Sequence, residues 1–235
     1  MEFNVKKCAI VQFTSSKKKN PFHYTMKGEP LEIVHHHPYL GVELSDSLKY
    51  HLHIDNICKK ASSVLGFLKR NLKHCPPKVK ERAYQSLVWP TVEYAIPIWN
   101  SQQKTQIKQV EQIQRNAARF VKNQPYNPEK PDSVTSMVQN LNWNTLEQRR
   151  SMADVTLMYK VVHQLVAIAV CYMPTPATVT RTRNSHSLKF LPYHCRINTY
   201  QHSFFPRTVT IWNNLSEPVV LPPSVEATLM RQSPR

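Results

Sequence analysis

The sequence predicts an α+β fold, a small antiparallel sheet of two hairpins followed by a mostly helical body. Three observations lead there. Residues 1–44 hold four short β-forming runs separated by turn residues. Residues 54–72 and 107–121 carry apolar side chains at the helical period. Only three glycines occur, Gly28, Gly41 and Gly66, too far apart to build the glycine-rich loops of Walker-type nucleotidases, Rossmann oxidoreductases or α/β hydrolases.

The strand runs are Lys7–Phe13, Phe22–Lys27, Leu31–Val34 and Tyr39–Leu44. TSSKKKNP breaks the first, and Gly28-Glu29-Pro30 turns the chain between the second and third. So small a sheet needs a covering layer, which the helices that follow can supply on one face. Ser45, Asp46 and Ser47 are candidate caps for the first helix. Its apolar stripe is Ile54, Ile57, Ala61, Val64, Leu65, Leu68 and Leu72, with Lys59, Lys60, Lys69, Arg70 and Lys73 off it. Pro76-Pro77 ends that helix and opens a second over Lys78–Trp89, which Pro90 kinks or breaks.

A third stripe runs through Ile107, Val110, Ile113, Gln114, Ala117 and Val121. Lys108, Arg115, Arg119 and Lys122 fall within about one quarter of that helix's circumference. NQPYNPEKPD, residues 123–132, reads as a linker. A short helix near Ser133–Asn140 and a long one from about Thr145 to Cys171 follow. Residues 173–202, rich in Pro, Thr, Arg and His, read as extended or loose. SFFPRTVTIWNNL closes the ordered part, with Pro206 in a first helical turn and Phe204 or Phe205 stapling against Val209 or Trp212. The last twenty residues read as frayed. Four regions result: 1–44, 45–122, 123–172 and 173–235.

Charge narrows the partner. The chain carries 31 Lys and Arg against 15 acids, a net charge of +16. The excess is local: residues 49–82 hold nine bases and two acids, residues 104–122 five and one, while residues 123–160 balance at four and four. Basic faces opposite apolar stripes can track a phosphate backbone while the helix packs on a core. A merely solvated basic face is the plainer alternative, and two helices repeating the pattern weigh against it. Tyr50, Tyr84, Trp89, Tyr94 and Trp99 are read chiefly as core, with base stacking a secondary role.

Other chemistry is thin. The four aspartates, Asp46, Asp55, Asp132 and Asp154, are scattered, and no two acids are adjacent. Two-metal phosphoryl transfer needs clustered carboxylates, so no catalytic residue and no metal site is assigned. His35-His36-His37 points to alternate faces of an extended segment, unlike the spaced ligands of a zinc site. His51, His53 and Cys58 are equally loose. Five scattered cysteines without a CxxC pair suit a reducing, intracellular setting, cytoplasm or nucleus. No secretory signal is visible, and Val161–Met173 is too short to span a bilayer, so no membrane partner is expected.

Several blocks in order resemble one protein type: FNVKKC; YLGVELSDSLKYHLHIDNICKKASSVLGFLKRNL; CPPKVKERAYQSLVWPTVEYAIPIWN; VEQIQRNAARFV; and SFFPRTVTIWNNL. They resemble the C-terminal part of the reverse transcriptase of jockey- or CR1-like non-LTR retrotransposons (LINE elements), over about residues 2–215. The resemblance implies that 1–44 is the end of a palm, 45–122 a helical thumb, 123–172 a linker and second helical region, and 173–235 a loose tail bearing the last motif. It implies that Lys7 lies near the incoming nucleotide and that Tyr39, Leu40 and Gly41 form the primer grip. Lys59, Lys60, Lys69, Arg70, Lys73, Lys108, Arg115 and Arg119 are expected on the nucleic-acid backbone.

The partner implied is RNA or an RNA–DNA primer–template duplex. The Mg²⁺ of the full-length enzyme is implied only for the missing catalytic part, so this chain is expected to hold no cofactor. With fingers and Asp-bearing palm motifs absent, Met1 reads as an internal methionine of a longer polymerase, and the chain alone is expected to bind primer–template without polymerising. A non-catalytic RNA- or DNA-binding protein, or an unstable pseudogene product, are the alternatives.

Overall fold

The computed structural model describes residues 4–14, 22–126, 133–178 and 186–221. A single 3-10 turn, Val5–Lys7, precedes the first strand, β1 (Ala9–Val11). Then come β2 (Thr25–Met26), β3 (Glu29–Pro30), β4 (Glu32–Val34), β5 (His36–Tyr39) and β6 (Val42–Ser45). Two antiparallel hairpins form, β2–β3 and β5–β6, so the α+β class and its hairpins are present. They remain separate two-stranded pairs rather than one sheet, and β1 pairs in parallel with β4, Ala9 opposite Glu32 and Val11 opposite Val34. Lys27-Gly28 and Leu40-Gly41 each place two successive residues at positive φ, the geometry of a tight two-residue turn, and they close the β2–β3 and β5–β6 hairpins respectively.

Ser45 does not cap a helix. Its hydroxyl accepts from the Lys49 N–H at 3.2 Å and donates to the Lys49 carbonyl at 2.9 Å, closing the turn before α1 (His51–Asn71), whose N-cap is Tyr50. The expected stripe is the buried one: Ile54, Ile57, Ala61, Leu65 and Leu68 are buried, and Val64 and Leu72 pack beside them. Pro77 opens α2 (Pro77–Leu87), and Pro90 sits in the first turn of a new helix, α3 (Trp89–Glu93). The short α4 (Ile96–Trp99) leads to α5 (Lys104–Lys122), which buries Val110, Ile113, Gln114, Ala117 and Val121. Part of the expected linker, residues 127–132, lies outside the described residues.

Next are α6 (Ser133–Asn140) and α7 (Leu146–Val162). A capping box starts α7: the Thr145 side chain accepts from Gln148 N–H while the Gln148 side chain accepts from Thr145 N–H. It stops nine residues short of Cys171. Gln164 adopts φ +56°, and Leu165 N–H closes on the Lys160 carbonyl at 2.8 Å, a left-handed stop that ends the helix without a glycine. Among its described residues, the segment expected to be loose holds an isolated bridge, Pro176 to Phe190, and α8 (Asn198–Gln201). The chain finishes with α9 (Phe204–Asn213) and α10 (Glu217–Val220); the final residues lie outside the described ones.

Among the described residues two apolar cores form. The first joins α1 to α6 around Tyr84, Trp99 and Trp143; the second joins α7 to the C-terminal segment around Met158, Phe190 and Trp212. Helix α7 feeds both, through Leu146 and through Val155–Tyr159. A buried polar knot ties them. Asp154 accepts from Asn100 Nδ2 at 2.7 Å and from Arg207 Nε and Nη2 at 3.0 and 2.9 Å. Arg207 also donates to the Pro97 and His202 carbonyls, each at 2.7 Å. Asp154 is therefore engaged in joining the two cores.

Candidate nucleic-acid interface

Helices α1 and α5 run in the same general direction. Asp55 near the start of α1 accepts from Gln109 near the start of α5, and Lys69 near the end of α1 faces Arg119 near the end of α5. Amphipathicity fixes this: each helix turns its apolar stripe to the shared core, which leaves their basic flanks outside. Where their C-terminal ends approach α2, a cavity of about 330 Å³ opens, lined by Lys69, Lys73, Lys80, Asn116, Arg119 and Tyr126 among others.

No Asp or Glu lines it, and no ion pair engages any of its four cations among the described residues. Lys80 forms the floor at 1% exposure. Its ammonium donates to Asn123 Oδ1 and sits 5.2 Å from the Phe120 ring centroid. Asn123 caps α5 at φ +53°, a conformation asparagine tolerates better than most residues, which aims its side chain back at Lys80. Arg119 stacks 5.0 Å from the centroid of Tyr126 and reaches Asn116 Oδ1 at 3.5 Å.

Burial, and then the positive charge of Arg119, lower the Lys69 pKa below the ordinary lysine value. Lys69 and Arg119 thus repel each other, and an anion placed between them would relieve both. The C-terminal ends of two helices bring about −0.5 charge each. Four cations outweigh them by about three positive charges.

A second exposed feature is the tip of the β5–β6 hairpin. Tyr39 and Leu40 are exposed, Leu40 at 73%, and Leu40 and Gly41 lie at φ +48° and +81°. Tyr94, between α3 and α4, donates from its hydroxyl to the Leu40 carbonyl at 2.8 Å. A Cβ on Gly41 would stand 3.2 Å from the Tyr94 ring, so the close approach and the positive φ both call for glycine. The tip is held in place while its side chains face solvent.

Of the residues singled out in the sequence, the fold gathers Lys69, Lys73 and Arg119 into the cavity. Lys59, Lys60, Arg70, Lys108 and Arg115 are exposed on the same two helices but do not line it. Lys7 ends a single tight turn, Val5–Lys7, and is exposed. His35 and His36 pair across their hairpin with Asp46 and Glu43, each at 2.7 Å, and no group of three metal-ligating side chains gathers among the described residues. Sequence reasoning missed Lys80, Asn116 and Tyr126. Lys80 had a signal, since it lies four residues before Tyr84 and eight before Val88, on the buried line of α2. A larger cavity, about 610 Å³, lies between residues 48–50, 97–106 and 198–207. Its cationic lining is Lys49 and Arg207, and Arg207 is already paired with Asp154, so it suits a polyanion less.

Comparison with known proteins supports a reverse-transcriptase-like relationship. The relative found is the RNA-directed DNA polymerase from mobile element jockey of Drosophila funebris, 28% identical over 131 residues, which is 54% of this chain and 14% of the relative. The chain therefore corresponds to a small part of that protein's length. No protein-family model matches the chain, and no solved structure matches it. Among the described residues no helix is long and apolar enough to cross a membrane.

Proposed function

We propose that this chain is a segment of a reverse-transcriptase-related polypeptide that holds primer–template nucleic acid and does not polymerise by itself. In this reading α1, α2 and α5 act as a thumb-like clamp, the Tyr39-Leu40-Gly41 tip lies against the primer strand, and Lys7 lies toward the nucleotide side. The observation that carries it is the cavity at the joined ends of α1 and α5, lined among the described residues by four cations and no carboxylate. Such a surface gains affinity by displacing counterions from phosphates. The similarity to a polymerase of a mobile element favours nucleic acid over other polyanions. The remaining exposed bases of the two helices, from Lys59 to Arg115, extend the contact along the backbone.

Fluorescence anisotropy of a labelled RNA–DNA primer–template with the full chain tests this. Binding is expected near 50 mM salt and should weaken by orders of magnitude by about 200 mM. Primer extension with Mg²⁺ should give no product. Absence of binding at the lower salt, or template-directed extension by the purified chain, overturns the proposal.

A further inference from the structure

We infer that the cavity between α1, α2 and α5 is a site for one unpaired nucleotide, its phosphate held by Lys69, Lys73 and Arg119 above Lys80 and its base stacked on Tyr126. This deepens the nucleic-acid reading by naming the unit recognised and the strand state it requires.

The phosphate half follows from charge. Four cations surround the space, one of them buried at its floor, and among the described residues no acid lines it. Arg119 offers a planar donor fork suited to phosphate oxygens, and Lys69 in the last turn of α1 and Lys73 just past its end offer point charges. Lys80 is fixed by Asn123, so its charge is positioned before any ligand arrives.

The base half follows from Tyr126. Tyr126 is 63% exposed although Arg119 lies over its ring, 5.0 Å from the centroid. One face is thus backed by a guanidinium, while most of the residue's surface stays accessible. A cation behind an aromatic ring with a free outer face is a stacking platform for any base. A volume of about 330 Å³ lies at the small end of ligand sites, the scale of a single nucleotide rather than a helix groove. Bases inside a duplex are already stacked on both sides, so only a single-stranded segment or frayed end can use the ring.

The test uses the full ¹⁵N-labelled chain, with inorganic phosphate, adenosine and adenosine 5′-monophosphate as probes. Amide shifts of Asn123 and Gln124 report binding. The monophosphate is expected to bind more tightly than phosphate, and adenosine least. Tyr126→Ala should weaken the monophosphate about tenfold and leave phosphate unchanged, and Tyr126→Trp should restore it. Tyr126 is exposed, so these variants leave the core intact. Equal binding of phosphate and monophosphate that Tyr126→Ala does not alter overturns the inference, as does absence of binding by either. Duplex binding that survives such a failure leaves the proposed function standing. Mononucleotide binding without duplex binding leaves the pocket standing and removes the clamp.

Discussion

Replacing Arg207 with leucine strikes the joint between the two cores. Asp154 is 0% exposed, and two of its three hydrogen bonds come from the Arg207 guanidinium. Without that partner the buried carboxylate keeps one hydrogen bond, from Asn100, with the Arg150 charge nearby, and the Pro97 and His202 carbonyls lose their donor. Breaking a buried pair from one side costs about 3–5 kcal/mol. In a domain of this size each kcal/mol shifts Tm by about 2–4 °C, so Arg207→Leu should lower Tm by about 6–20 °C. Arg207→Leu with Asp154→Leu removes both charges and should recover much of the loss, because a matched apolar pair is often neutral or better. Tryptophan fluorescence follows both cores, through Trp99 in the first and Trp212 in the second. A single variant within about 1 kcal/mol of wild type, or a double variant worse than the single, refutes the reasoning.

Gly41→Ala should destabilise by about 1–2 kcal/mol from its positive φ alone, with a further loss from displacing Tyr94; Tyr94→Ala should remove the second part and leave the first, read by urea midpoints. Burial, only partly opposed by Glu43, lowers the His53 pKa, and the unfolded chain therefore binds its proton more readily. That contribution to stability is present above the ordinary histidine value of 6.5 and is lost as pH falls below it. His53→Phe, which keeps a ring against Trp99, should therefore flatten the fall in Tm between pH 7.5 and 5.5. Lys80→Met removes a buried ammonium that has no carboxylate partner, so thermal stability should hold or rise while phosphate affinity drops, as calorimetry would show.

The helical half of the fold was legible because its signal is periodic. Ile54 to Leu68 and Val110 to Val121 fall on single faces whichever neighbours they meet, and proline marked both the start of α2 and its break at α3. The strands were legible as runs but their partners were not. The parallel pairing of β1 with β4 joins runs far apart in the chain, which local patterning does not register, and the positive-φ turns at Lys27 and Leu40 are made by residues that do not announce one. The end of α7 was hidden for the same reason, since Gln164 does a glycine's work. At the site, surface lysines could be assigned to a helix flank but not to a place along it. Only the direction of α1 against α5 selects Lys69, Lys73 and Arg119 and leaves Lys59, Lys60, Lys108 and Arg115 outside. Lys80 escaped because a buried lysine contradicts the usual rule for its type.

The salt dependence of primer–template binding, compared between the full chain and Lys69→Gln/Lys73→Gln/Arg119→Gln, tests the clamp most directly. The three cations surround one phosphate, so their joint loss should lower the log–log slope by about one, with weaker binding throughout. A triple variant with wild-type slope and affinity would contradict the assignment of this basic end to nucleic acid.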